Sequence, residues 1–95
     1  MYWYYATFTK AADAPFCLSI ANDSFQSHSL NVFLPPDGFT TVGGTADSSV
    51  IVQVTCVPQG ENTWVVVTAF SDNDNLAETT RTNVQSFIQS AVRID

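Results

Sequence analysis

Charge is scarce in this sequence, and positive charge scarcest. Lys10, Arg81 and Arg93 stand with one histidine against nine carboxylates, for a net charge of −6. Nucleic-acid affinity rests largely on Lys and Arg neutralising phosphates, so three cations exclude a nucleic-acid binder. No apolar run approaches the ~20 residues that span a bilayer, which excludes a membrane-crossing helix. There is no Cys-x-x-Cys pair, and two cysteines with His28 at unrelated spacings do not make four zinc ligands. No metal and no cofactor is expected. A leader is missing too: Met1 is followed by Tyr2-Trp3-Tyr4-Tyr5, not by a basic segment and a long apolar core. Either the protein works in the cytosol, or Met1 stands where a leader has been removed.

What is present is hydrophobic enough to fold. Of 95 residues, 45% are hydrophobic, which excludes a disordered tail and supports one domain over residues 1–95. Charged residues make up 13%, half the usual ~25%, and hydroxyls and amides replace them: 11 Thr, 9 Ser, 6 Asn and 5 Gln. A Lys-poor, Thr/Ser/Asn-rich surface of this kind favours an exported or periplasmic protein over a cytoplasmic one. The two cysteines, Cys17 and Cys56, permit one bridge. It would close a loop of about 40 residues and contribute ~4 kcal/mol in the chain-entropy account. The alternative is a pair of buried thiols.

Residues 2 to 9 alternate as a strand, with Tyr2, Tyr4, Ala6 and Phe8 on one face and Trp3, Tyr5, Thr7 and Thr9 on the other. Asp13 and Pro15 mark a helix entry, and Cys17, Ala21, Ser24 and His28 recur at helical spacing to Ser27 or His28. Leu30 to Leu34 reads as an edge strand or an extended connection before Pro35-Pro36-Asp37-Gly38. Phe39 to Val42 is a short strand ended by Gly43-Gly44. Ser49 to Val57 carries Val50, Val52, Val54 and Cys56 on one face. A five-residue turn, Pro58 to Asn62, leads into an antiparallel strand, Thr63 to Phe70. The last helix follows, with Asn75 and Glu78 as a loose capping box, Ala77, Thr80, Val84, Phe87, Ile88 and Ala91 at helical spacing, and Arg93 at its negative pole. The expected fold is α+β in two layers: one mainly antiparallel sheet of three to five strands with two helices on one face, in the order β-α-β-β-β-α. Cys56 then lies on the face under the helices and Cys17 near the start of the first helix, which favours the bridge over the free thiols.

Cys17 with Ala21, the Val52, Val54 and Cys56 strand, Trp64-Val65-Val66-Val67-Thr68 and an Ala/Asn/Val-rich last helix together resemble small uncharacterised bacterial exported α+β domains with one helix-to-strand disulfide. The resemblance spans most of the chain. It implies the fold and the Cys17–Cys56 bridge, and no activity.

Candidate chemistry is thin. His28 has no acid on its own helical face, since Asp23 lies five residues back; a surface or capping role fits better than general-base catalysis. Asp72-Asn73-Asp74-Asn75 opens like a calcium loop, but Ala77 holds the glycine position and Asn83 the bidentate-acid position, so helix capping is the better reading. Asp37 and Asp47 read as solvated loop acids. Gly43-Gly44 lacks the lysine and third glycine of a phosphate loop.

The remaining feature is the far side of the sheet. If Val65 and Val67 face the helices, Trp3, Tyr5, Trp64, Val66, Thr68 and Phe70 face away, with Gln53 and Thr55 beside them. That surface holds two Trp, a Tyr and a Phe among Thr, Gln and aliphatics, without a charge, where an open face would alternate to polar residues. Another chain or a ligand could cover it, or the segment from Leu30 to Gly38 or the N-terminal strand could fold over it. The leading expectation is a non-enzymatic domain, a homodimer or a module for another protein, that associates through this face. The alternative is a small-ligand module for apolar or cationic molecules, lined by the same aromatics and Gln53. An enzyme would have to rest on a carboxylate pair such as Asp72 and Asp74, with no other catalytic partner visible.

Overall fold

The chain forms five strands, β1 (Tyr2–Lys10), β2 (Asn31–Asp37), β3 (Thr40–Gly44), β4 (Val50–Gln59) and β5 (Asn62–Ser71), all but β2 marked by period-two alternation. The two stretches of 3.6-residue period produce helices α1 (Ala14–Ser27) and α2 (Asp74–Ser90). The structure, a computed structural model, describes residues 1–91, and Leu34, Pro35 and Pro36 by their backbone alone. The fold is α+β, one open antiparallel sheet in the order β1-β5-β4-β3-β2. Its chain order is β-α-β-β-β-β-α, one strand more than expected. The extra one is β2, which takes in most of the Leu30 to Leu34 run and the two prolines. It pairs with β3 through two register shifts, and an edge position tolerates prolines, which have no N–H to offer a further strand.

Two boundaries move. The five-residue turn shrinks to Gly60-Glu61, because Gln59 pairs with Asn62. Gly60 has φ +66°, which a side chain would disfavour in so tight a hairpin. Helix α2 starts two residues earlier than the Asn75–Glu78 box implies: Asn73 is the N-cap, its side chain accepting from the Leu76 N–H at 3.0 Å. At α1 the cap is Asp13, accepting from Phe16 N–H at 2.9 Å, with Pro15 in the first turn. Arg93, expected at the negative pole of α2, lies outside the described residues. Lys10 serves that pole instead, donating from Nζ to the carbonyls of Gln89 (3.1 Å) and Ala91.

Both helices cover one face of the sheet, α1 over β2, β3 and β4, and α2 over β1 and β5. The core between the layers holds Val50, Val52, Val54 and Cys56 of β4 and Val65, Val67 and Ala69 of β5. Leu18, Ala21 and Phe25 of α1 and Val84 and Ile88 of α2 lie on top of them. Each buried Val contributes about 1.5–2 kcal/mol. Cys17 and Cys56, both fully buried, are joined as a disulfide with Cα atoms 6.3 Å apart. Polar residues at the edges of this layer are bonded: Thr41 Oγ1 donates to Asn22 Oδ1 (2.9 Å), Thr63 Oγ1 to Ala12 O (2.7 Å) and Ser71 Oγ to Ser49 O (2.6 Å).

Gly43 and Gly44 are the last two residues of β3. A Cβ at Gly43 would sit 2.6 Å from the Phe25 ring and 3.0 Å from the Asn31 carbonyl oxygen. Phe25 is fully buried and has nowhere to retreat. Gly43→Ala is therefore expected to lower the unfolding free energy by about 2 kcal/mol in a urea titration. An unchanged midpoint would show that α1 does not press on the sheet there.

Candidate functional site

Strand register decides which side chains share the uncovered face. Antiparallel partners point the same way, so the pairings of β1 with β5, β5 with β4 and β4 with β3 assemble four rows. Trp3, Phe70 and Ile51 form the first, ending at Gly44. Tyr5, Thr68, Gln53 and Val42 form the second. Thr7, Val66, Thr55 and Thr40 make the third, and Thr9, Trp64 and Val57 the fourth. The eight residues expected there from the sequence therefore do share one face, opposite both helices. None of the four rows contains a charged side chain. A carboxylate stands at its border, that of Asp37, paired opposite Thr40 in the edge strand β2.

The surface is built as well as open. Trp3 stacks against Tyr5 with ring centroids 5.6 Å apart and against Phe70 at 6.5 Å. Thr40 and Thr55 bridge their hydroxyls at 3.1 Å. Neither segment that could have folded over the face does so, because β1 and β2 join the two opposite edges of the sheet. Trp3 remains 59% exposed, Tyr5 60% and Trp64 40%. Phe33 adds an aromatic that sequence reasoning missed: its ring lies over Gly44, with a ring carbon 2.7 Å from where a Cβ would stand. The glycine at the end of β3 was the signal, since a missing side chain in an aromatic sheet leaves a seat for a ring.

The other candidates scatter. His28 is the C-cap of α1, half-buried, with Nδ1 2.8 Å from the Ser24 carbonyl oxygen and its ring edge-on to Phe87. Asp47 organises the turn before β4, accepting from the Thr45 hydroxyl (2.8 Å), the Ser49 N–H (3.0 Å) and the Ser49 hydroxyl. Those Ser49 and Thr45 bonds hold its carboxyl down at about 2. Among the described residues no cluster of three His, Cys, Asp or Glu is placed to hold a metal, and no helix is long and apolar enough to cross a membrane.

Asp72 and Asp74 do not converge on one another's chemistry. Asp72 is exposed, whereas Asp74 accepts a hydrogen bond from the Tyr4 hydroxyl on the helix side of β1. Ionising Tyr4 would lose that donor and set a phenolate beside a carboxylate, so its hydroxyl is pushed up from 10.0 to about 12. The fold thereby prefers neutral Tyr4; this preference is present in full below pH 10 and is lost as pH rises through 12. In an ultraviolet titration of tyrosinate, one of the three tyrosines should ionise near pH 12. In Asp74→Ala it should rejoin the ordinary range. A wild-type curve with all three titrating together would mean the contact does not persist.

No family model matches this chain, and no curated protein matches it. Among solved structures the chain is similar to the protein TTHA0849 from Thermus thermophilus, at a TM-score of 0.43 and 15% identity, over 93% of this chain and 87% of that one.

Proposed function

We propose that this protein is a non-enzymatic association module and that a second copy of the same chain covers its open sheet face. The observation that carries the reading is the four-row surface: fifteen sheet positions with exposed Trp3, Tyr5 and Trp64 and no charge. Trp and Tyr with depleted charge are the composition of interface cores, not of surfaces left in water. Charge favours self-association. A molecule of net charge −6 repels its copy, and a face without carboxylates is where two copies meet at least cost. A two-fold axis sets the same patch against itself, so an uncharged face meets an uncharged face.

Four strands ~4.8 Å apart and about seven residues at ~3.3 Å rise make an area of roughly 450 Å² per copy, before side-chain relief. Specific complexes bury roughly 800 Å² a side, so this interface is a small one, and the expected dimer is a weak one with a dissociation constant on the order of micromolar. Sedimentation equilibrium from micromolar to near-millimolar protein tests this. The weight-average mass is expected to climb from 10.4 kDa towards twice that value. A mass that stays at the monomer throughout removes the reading and leaves the same aromatics as a platform for a small apolar or cationic ligand.

The bridge also bears on the compartment. A buried structural disulfide persists in oxidising surroundings and is rare in the cytosol. With the hydroxyl-rich surface, it supports an exported or periplasmic location.

A further inference from the structure

A concave feature lies in the other layer, where α1 ends and α2 begins, on the opposite side of the sheet from the aromatic rows. A half-open cleft of about 300 Å³ is lined there by His28, Ser29, Leu30, Thr45, Val50, Leu76, Thr79, Thr80 and Asn83. Its origin is a stripe of α2. Leu76, Thr79, Thr80 and Asn83 follow one another at helical spacing, so the helix flank that runs from buried Thr80 out to solvent carries short or polar side chains after its first leucine. Further along, Val84 and Ile88 fill the same layer. A helix that carried Leu in place of Thr80 and Asn83 would close the gap.

We infer that this cleft is a binding site for a compact, neutral, mostly apolar molecule with a hydrogen-bond donor at one end. The floor is mostly apolar: Leu30 and Val50 are buried, with Thr80 beside them. The rim is polar and wet, since Ser29, Thr79 and Asn83 are exposed. An apolar body therefore gains by entering and a polar end gains by staying at the mouth. None of the nine lining residues is Asp, Glu, Lys or Arg, so a charged ligand would lose its hydration without a counter-ion.

The polar end is assigned to His28, the one lining residue with an imidazole acceptor to offer. The Ser24 carbonyl oxygen can only accept, which places a proton on Nδ1 and leaves Nε2 of the neutral ring an acceptor. A hydroxyl or N–H on the ligand is the matching group. The wall opposite is held by the Asp47 turn, which fixes Thr45 through its hydroxyl. The volume equals about ten water molecules, hence a ligand of about ten non-hydrogen atoms.

The probe pair 4-propylphenol and 4-propylanisole tests the inference on the full chain by amide-resolved NMR titration. The phenol is expected to saturate with an affinity of about 100 μM. Its shifts should cluster at His28 to Leu30, Thr45 to Val50 and Leu76 to Asn83. The methyl ether, which has no donor, should bind about tenfold more weakly. Thr79→Trp puts an indole at the exposed rim and should abolish the shifts while amide dispersion is kept; Asn83→Trp is the second variant if the first does not fold. Shifts that map instead to Trp3 and Trp64, shifts that never saturate, or binding unchanged in a folded rim variant would overturn the site. Equal affinity of the two probes would overturn the role given to His28.

Discussion

Replacing both cysteines, Cys17→Ala with Cys56→Ala, is expected to lower the unfolding free energy by about 4 kcal/mol. The bridge spans 39 positions and joins the first helix to the central strand, so removing it returns that loop entropy to the unfolded chain. A domain of this size holds about 5–15 kcal/mol in total, so the loss is a large share. It should appear as a fall in melting temperature on the order of 20 °C. The native chain heated with a thiol reductant should fall by the same amount, which separates loss of the bond from loss of packing at two buried sites. Thiol titration of the denatured, unreduced protein should find no free sulfhydryl. A double variant within about 1 kcal/mol of the parent would show that the unfolded chain is already confined in some other way.

The second large effect is expected at Trp64. In a two-fold dimer each substitution occurs twice, and Trp64→Glu brings two carboxylates into an interface that has none. The dissociation constant should rise at least ~100-fold, so that a micromolar dimer becomes largely monomeric at about 10 μM protein, where the parent is largely dimeric. Trp64 is 40% exposed, so the substitution also removes packing within the monomer; the isolated fold should remain folded with a melting temperature lower by on the order of 10 °C, and the monomer–dimer equilibrium is read well below that temperature. Ser86→Glu, exposed on α2, adds the same charge on the helical side and should leave the dimer intact. Equal weakening by the two substitutions would mean that added charge alone, and not the aromatic face, governs association.

These two expectations rest on features of different legibility. The bridge was open in the sequence, because Cys56 shares a face with Val50, Val52 and Val54 while Cys17 shares a helix stripe with Ala21 and Ser24. Where the first helix lands on the sheet was needed to choose it over free thiols. The aromatic face was also readable, since alternation in residues 2 to 9 and 63 to 70 separates it from the valines. That it stays uncovered was not readable: β2 could have crossed the face, and it pairs at the edge instead.

Periodicity along the chain determined the two helices, four of the five strands, the β4–β5 hairpin and the division of each strand into a core side and an open side. Those are local properties, written in residues two to four positions apart, and the hydrophobic effect reads them directly. Tertiary structure alone decided that Lys10 meets the end of α2, that Tyr4 meets Asp74, that Phe33 lies over Gly44, and that short side chains of α2 leave a cleft beside His28. Each of these joins residues brought together by the order β1-β5-β4-β3-β2 and by helix placement. No repeat in the sequence records such an encounter, because it depends on how separate elements pack and not on the pattern within any one of them.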